Sequence, residues 1–336
     1  MIHPLSFVLI VLFLCPAPLP AQRLLHPALH REVEKGLDLI LRQEYRLADS
    51  VFAELSRQFP DHPAGYLYQA AVAQTQSLDF GTSLRRDRFD SLLDRGRSAC
   101  ANLRDRAWVQ FFLATADGYD AVARVDRGDW FGGIRKGLAA ASEFRKLIEM
   151  DSGFVDAYAG VGTYLYWRSR KTEFLHWLPF ISDDRPEGIE LLERCALTGN
   201  YNRFAAVSSL ISLFQDAGEY RRSEEWSRVG LKSYPGNRIF LWGLATALHR
   251  QERYPEAAAA YDTLLQSILL SRSPNPYNEI VCRLNLVRCA LAVGRKSNVK
   301  PHLNAILSYE QFPFDDSFRD RVSEKFEEAR RIVASF

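Results

Sequence analysis

An all-α fold, an α-solenoid of antiparallel helix hairpins, is predicted by three features of this chain. Leu210, Phe214, Tyr220 and Ser223 recur 34 residues later as Leu244, Leu248, Tyr254 and Ala257, and self-similarity at a fixed interval marks a repeat architecture. Apolar residues elsewhere return every three or four positions, the period of one helix face. No Pro/Gly/Ser linker or low-complexity tract divides the chain. A helical hairpin has an apolar face that it cannot bury alone, so neighbours must stack, and the stack offers a long surface in place of a catalytic pocket.

Three stretches carry the repeat most clearly, though the unit at 238–271 lacks the closing Pro. The unit at 204–237 has Leu210, Phe214, Gly218, Tyr220 and Pro235, with Ser223 and Ser227 at positions where Ala and an aromatic are usual. The unit at 238–271 has Leu244, Ala245, Leu248, Tyr254, Ala257 and Tyr261, and the unit at 29–62 has Gly36, Tyr45, Ala48, Phe52 and Pro60. These residues resemble the tetratricopeptide repeat (TPR), a pair of helices with set apolar positions and often a closing Pro. The resemblance implies a TPR-like superhelix whose inner groove takes a peptide or partner protein. The region Phe112 to Leu213 is also similar, through Gly162, Leu175, Leu178, Phe180, Asp184, Arg185, Gly188 and Leu191, to eukaryotic tetratricopeptide proteins of the mitochondrial outer membrane, lipid droplets and inclusion-body clearance. That similarity covers under a third of the chain and supports the fold and an insertion, with no activity attached.

Residues 1–21 read as a signal peptide and 22–336 as a single solenoid domain. Met1 to Ala21 contains no Lys, Arg, Asp or Glu and carries the apolar run Leu5 to Leu14. That run is about half of the roughly 20 residues needed to span a bilayer, which suits the apolar region of a secretory signal, and Leu19-Pro20-Ala21 offers a cut before Gln22. The expected location is the periplasm or the exterior, with no transmembrane span after cleavage. Leu14, where a lipoprotein signal has a small residue, argues against anchoring through Cys15.

The 43 basic and 41 acidic side chains all lie beyond Ala21 and nearly cancel, so no overall field draws the chain to nucleic acid or to anionic lipid. Cys100, Cys195, Cys282 and Cys289 form no Cys-x-x-Cys. Cys282 and Cys289 stand about 10 Å apart along one helix, too far for a disulfide. All four read as small apolar core residues, with a bridge between distant repeats as the alternative.

Taken in order, two helices are expected from Leu25 to Phe59, and Asp61-His62-Pro63 starts the next hairpin, since Pro suits the first turn of a helix. Tyr66, Leu67, Ala70 and Ala73 continue its packing face, and Arg85, Arg86 and Arg88 read as solvated surface. Helices follow at about 105–125, through Trp108, Phe112, Ala116 and Tyr119, and at 133–150, through Ile134, Leu138, Ala141, Phe144 and Leu147, joined by Asp129-Trp130-Phe131-Gly132-Gly133. Ala157 to Tyr164 opens another repeat, with Gly162 where helices approach closely. The irregular insertion near 168–188 exceeds an ordinary helix–helix turn. Its Phe174, Leu175, Trp177, Leu178, Phe180 and Ile181 call for a short helix folded on the hairpins, or an exposed contact patch. Asp184 is the expected cap of the following helix. After a linker at Ser271 to Tyr277 the packing face runs through Ile280, Leu284, Val287 and Ala290, then Val299, Leu303, Ile306 and Leu307. A C-terminal capping helix runs to about Ala334, its outer face made polar by Arg319, Arg321, Lys325, Glu327 and Arg331.

No His-Glu-x-x-His, Gly-x-Ser-x-Gly or phosphate-binding loop is present and the histidines are scattered, so the chain reads as no enzyme, with no cofactor and no metal expected. Asp183-Asp184 and Asp315-Asp316 read as capping pairs. The resemblance to the repeat places Tyr166, Trp167, Ser208, Ser212, Gln215, Trp242, Thr246, His249 and Arg250 on the inner groove, where aromatic and Arg side chains anchor partners. Trp167 and Trp242 have burial between helices as their alternative. The leading reading is a non-catalytic scaffold of the cell envelope binding a protein or peptide in that groove. A small-ligand or glycan receptor using the Trp-rich insertion around 164–181 is the other.

Overall fold

The computed structural model describes residues 23–82, 84–175, 177, 182–271, 274–296, 299–314 and 316–335. The expected signal peptide, most of the insertion's apolar residues and Asp315 lie outside them. Fifteen α-helices follow one another among the described residues, with no strand. Seven antiparallel hairpins are formed by α1 (Pro27–Leu41) and α2 (Tyr45–Gln58), α3 (Pro63–Phe80) and α4 (Arg86–Cys100), α5 (Arg106–Asp126) and α6 (Trp130–Met150), α7 (Ala157–Lys171) and α8 (Arg185–Thr198), α9 (Arg203–Asp216) and α10 (Tyr220–Ser233), α11 (Arg238–Arg250) and α12 (Tyr254–Leu269), and α13 (Pro276–Ala292) and α14 (Val299–Leu307). The last helix, α15 (Asp316–Ala334), caps the stack: Val322, Phe326 and Ala329 are buried and its other face is solvated.

Each helix packs on the next, and first helices of successive hairpins also pack on one another, as α3 on α5, α7 on α9 and α9 on α11. Contact along the first helices places them on the inner side of the curve. The buried apolar residues fall into four clusters that succeed one another along the chain, as expected when each unit buries its face against its neighbours. Leu210, Phe214, Leu248 and Ala257, repeated at the 34-residue interval, are all buried. Each large apolar side chain so buried contributes about 1.5–3 kcal/mol. Gly162 and Gly188 let α7 and α8 touch backbone to backbone, because a Cβ on Gly162 would lie 2.5 Å from the Gly188 carbonyl oxygen and one on Gly188 2.7 Å from that of Gly162. All four cysteines are free and buried, as core residues are.

Two readings of local sequence are corrected. The segment 129–133 is no connection: Asp129 is an N-cap whose carboxylate accepts from Gly132 N at 2.9 Å, so α6 begins at Trp130. Ile134 and Leu138 are exposed, while Gly133, Ala140, Ala141, Phe144 and Leu147 form the buried face of α6. Small residues let that second face pack closely, and periodicity alone cannot choose between two adjacent apolar faces. The caps of α8 are also redistributed: Asp183 accepts from Arg185 N at 3.1 Å, whereas the Asp184 carboxylate pairs with Arg168.

The stack curls back on its own beginning. Successive inter-hairpin loops meet the N-terminal segment and the first two hairpins. Arg23 pairs with Asp105 and Asp151, and the Tyr201 hydroxyl accepts from Leu25 N at 3.0 Å while lying 2.8 Å from His30 Nδ1. Asn237 donates to the Leu41 carbonyl at 2.8 Å and Tyr234 to Asp38 at 3.2 Å. The last contact is buried. Arg238, at the start of α11, forks onto the carboxylate of Asp79, near the end of α3, with Nε donating at 2.8 Å across 159 residues of chain. Tyr45 donates to the same carboxylate at 2.9 Å, and Asn275 and Asn278 donate to the Asp79 carbonyl at 3.0 and 2.5 Å. Burial acts to lower the Arg238 pKa, and the hydrogen bond and charge of Asp79 outweigh it.

Removing one member of a buried, forked ion pair leaves the other charge uncompensated. Arg238→Ala is expected to cost about 3–5 kcal/mol in urea unfolding, and Asp79→Asn with Arg238→Met together less than Arg238→Ala alone; equal costs would show that the pair is not coupled.

His62 caps α3, its Nδ1 accepting from Ala64 N at 3.2 Å beside the ring of Phe112. Burial pushes its pKa down to about 4 from 6.5. Folding therefore favours neutral His62, and this contribution is present above pH 6.5 and is lost as pH falls towards 4. It amounts to a loss on the order of 2 kcal/mol, read by denaturant titration across that range. His62→Asn, which keeps a cap acceptor without the titration, is expected to flatten that slope.

Candidate functional site

The expected groove residues fall on three neighbouring first helices, α7, α9 and α11. On α9, Ser212 is exposed, Ser208 is half-buried with its hydroxyl donating to the Phe204 carbonyl at 3.0 Å, and Gln215 donates to the Gly243 carbonyl at 3.2 Å, tying α9 to α11. On α11, Trp242 is half-buried, its ring edge-on to Tyr261 at 6.0 Å. Thr246 hydrogen-bonds the Tyr261 hydroxyl, whose pKa burial pushes up to about 12. His249 stands edge-on to Tyr254, with Nδ1 3.4 Å from Cys289 Sγ on α13. Arg250 is exposed. Ser212 thus lies on α9, and Trp242, Thr246, His249 and Arg250 lie on the neighbouring α11.

Tyr166 does not belong to that surface. It is 1% exposed, and its hydroxyl donates to the Leu213 carbonyl at 2.9 Å and lies 3.0 Å from Asp216 Oδ2. Burial, then the hydrogen bond and charge of Asp216, push its pKa well above that of a free phenol. Consecutive residues on a helix point about 100° apart, so Tyr166 turns into the α7–α9 contact while Trp167, half-buried, stands edge-on to it at 5.2 Å.

The Cys289–His249 contact has the residue types of a nucleophile and base, and the wrong electrostatics for one. Burial pushes the Cys289 thiol up to about 11 and lowers the His249 pKa, with the charges of Arg288 and Arg250 adding to the latter. The thiol stays protonated, which is the inert state. Among the described residues no group of three or more His, Cys, Asp or Glu side chains is placed to hold a metal ion. A cleft of about 440 Å³ between α4 and α5 is lined by Arg86, Arg97 and Arg124 against Asp90, Asp120 and Asp129. Within it Asp120 lies 2.9 Å from Arg124 and 3.6 Å from Arg97, and Arg124 also pairs with Asp129.

The exposed face of α6 was not anticipated from sequence. Trp130, Phe131, Ile134 and Leu138 of α6 are exposed, Phe131 by 90%, and Lys171 Nζ lies 5.7 Å from the Trp130 ring centroid. Three residues on, the insertion opens as a 3₁₀ turn, Glu173–Leu175, with Phe174 73% and Trp177 77% exposed. These two aromatics therefore follow the second expectation for the insertion, an exposed patch, and lack the cover of the first. The pair Trp130-Phe131 ahead of two glycines was the available signal, hidden because the glycines suggested a loop.

No family model and no curated protein matches the chain. Among solved structures, PilW, described as a widely conserved type IV pilus biogenesis factor, is similar over 89% of this chain and 100% of its own, at 10% identity and a TM-score of 0.36. The C-terminal part of a TPR repeat-containing protein from Cytophaga hutchinsonii is similar over 87% and 98%, at 14% identity and a TM-score of 0.42. A tetratricopeptide repeat protein from Parabacteroides merdae is similar over 91% and 100%, at 14% identity and a TM-score of 0.40. No partner or activity passes to this chain from them. The hairpins themselves, stacked one on the next with further contacts between successive first helices, make the described chain an all-helical α-solenoid.

Tyr166 supplies a check on the assignment of inner and buried positions. Tyr166→Phe is expected to lower unfolding free energy by about 1 kcal/mol through the lost hydrogen bonds, and Tyr166→Ala by about 3–5 kcal/mol; stability unchanged by Tyr166→Ala would return the residue to the groove.

Proposed function

We propose that the protein is a non-catalytic scaffold of the cell envelope that binds a peptide or a partner protein along the inner faces of α9 and α11. The observation that carries this reading is that Ser212 and Arg250 are exposed and Trp242, Thr246 and His249 are only half-buried on the neighbouring first helices α9 and α11. Trp242 is held edge-on by Tyr261, so little side-chain freedom is lost when a partner covers it. Arg250 supplies a charged anchor beside it. Both types dominate binding energy at interfaces. The envelope location rests on the reading of Met1 to Ala21 as an export signal. In the other reading, a small-ligand or glycan receptor, the exposed Phe174 and Trp177 form a stacking platform.

One set of variants separates the two. Arg250→Glu and Trp242→Ala are expected to reduce capture of an envelope partner at least tenfold with the helical circular-dichroism signal unchanged, and Phe174→Ala to leave it intact. Undiminished capture would overturn the groove assignment. Saturable thermal stabilisation by a small sugar panel, abolished by Phe174→Ala, would favour the receptor.

A further inference from the structure

We propose that the tip of the third hairpin, where α7 ends against α6, docks on an anionic lipid bilayer surface. This goes beyond the groove reading and uses different residues. Trp130 and Phe131 occupy the first turn of α6, at the tip where the chain reverses, and Ile134 and Leu138 continue one stripe along the same helix. Phe174 adds a further exposed ring, three residues beyond Lys171, which itself contacts Trp130. Exposed apolar side chains scattered singly need no explanation, whereas a contiguous group marks a contact surface.

Charge selects the occupant. Arg127, Arg135 and Lys171 are exposed around the stripe, and none makes an ion pair within 4 Å among the described residues. The carboxylates nearby are largely spent. Glu173 pairs with Arg170 and Arg185, and Asp117, Asp120 and the α6 cap Asp129 share Arg97, Arg124 and Lys136, leaving exposed Asp126 against three cations. The chain is near neutral as a whole, at +2, yet this edge is locally positive. Trp and Phe at the apex, aliphatic residues beside them and flanking Lys or Arg form the combination that inserts at a lipid headgroup boundary. Shape points the same way. Phe131 protrudes from a convex second helix, and a fluid surface accepts a protruding ring without a preformed pocket.

The stripe is also remote from Arg23. Arg23 contacts Asp151, directly after α6 ends at Met150, so the 21 residues of α6 separate it from Trp130 by about 30 Å. Binding through the tip and binding through whatever precedes Arg23 are therefore separable by substitution.

Co-sedimentation of the full chain with vesicles of 70% phosphatidylcholine and 30% phosphatidylglycerol, against vesicles of phosphatidylcholine alone, tests this. The expected result is binding to the anionic vesicles that drops at least tenfold in 0.5 M salt, in Phe131→Ser/Ile134→Ser and in Arg135→Glu/Lys171→Glu. All four positions are exposed, and an unchanged circular-dichroism spectrum confirms that the variants fold. Binding unaffected by both double variants assigns it to another part of the chain and overturns the proposal, as does absence of binding. A concentration-dependent dimer abolished by Phe131→Ser, with no vesicle binding, assigns the stripe to a second copy of the chain and overturns it equally.

Discussion

The buried pairing of Asp79 with Arg238 is the constraint on which the shape of the molecule depends. A solenoid held only by nearest-neighbour contacts has no reason to stop curving at one pitch, because each interface contributes its own small rotation. Here the end of α3 is fastened to the start of α11, and Tyr45, Asn275 and Asn278 complete the same polar centre. Two charges taken out of water are tolerated only when paired and hydrogen-bonded, as here by the Arg238 fork and the Tyr45 hydroxyl on the Asp79 carboxylate. The forked geometry of the pair fixes where the start of α11 lies against the end of α3.

The clasp is the last of a series. Starting from Arg23, the N-terminal segment and α1 meet in turn the loops that follow the second, third, fourth and fifth hairpins. The loops that merely connect units elsewhere in such a stack therefore carry tertiary contacts in this one. One edge of the ribbon is used up by the chain's own beginning. The two surfaces proposed for partners, on α9 and α11 and at the α5–α6 turn, are made of other residues than these contacts use.

The two accessible surfaces differ in physical character. On α9 and α11 the accessible groups alternate with residues that tie helices together, as Gln215 does through the Gly243 carbonyl and His249 through Cys289, giving a rigid face. At the α6 tip, aromatic and aliphatic side chains extend past the backbone with little to hold them, Lys171 over Trp130 being the one described contact of that kind. A rigid face suits a partner of defined shape, and protruding rings suit a deformable one.

Local patterning was enough to read the helices, the 34-residue repeat, the close approach at Gly162, the polar capping helix and the cysteines as core. Each of these depends on residues within a turn or two of one another, or on a unit copied along the chain. Rotation of a helix about its axis was less legible: Tyr166 and Trp167 differ by about 100°, and Ile134 and Leu138 lie beside a face of Gly and Ala that packs more closely. Periodicity defines the presence of a face and leaves the choice among adjacent apolar ones to the partner helix. The clasp could not be read at all, since nothing around Asp79 or Arg238 signals a partner 159 residues away. Only the summed curvature of the intervening hairpins brings them together, and with them the division of the surface into an edge already occupied and faces left free to bind.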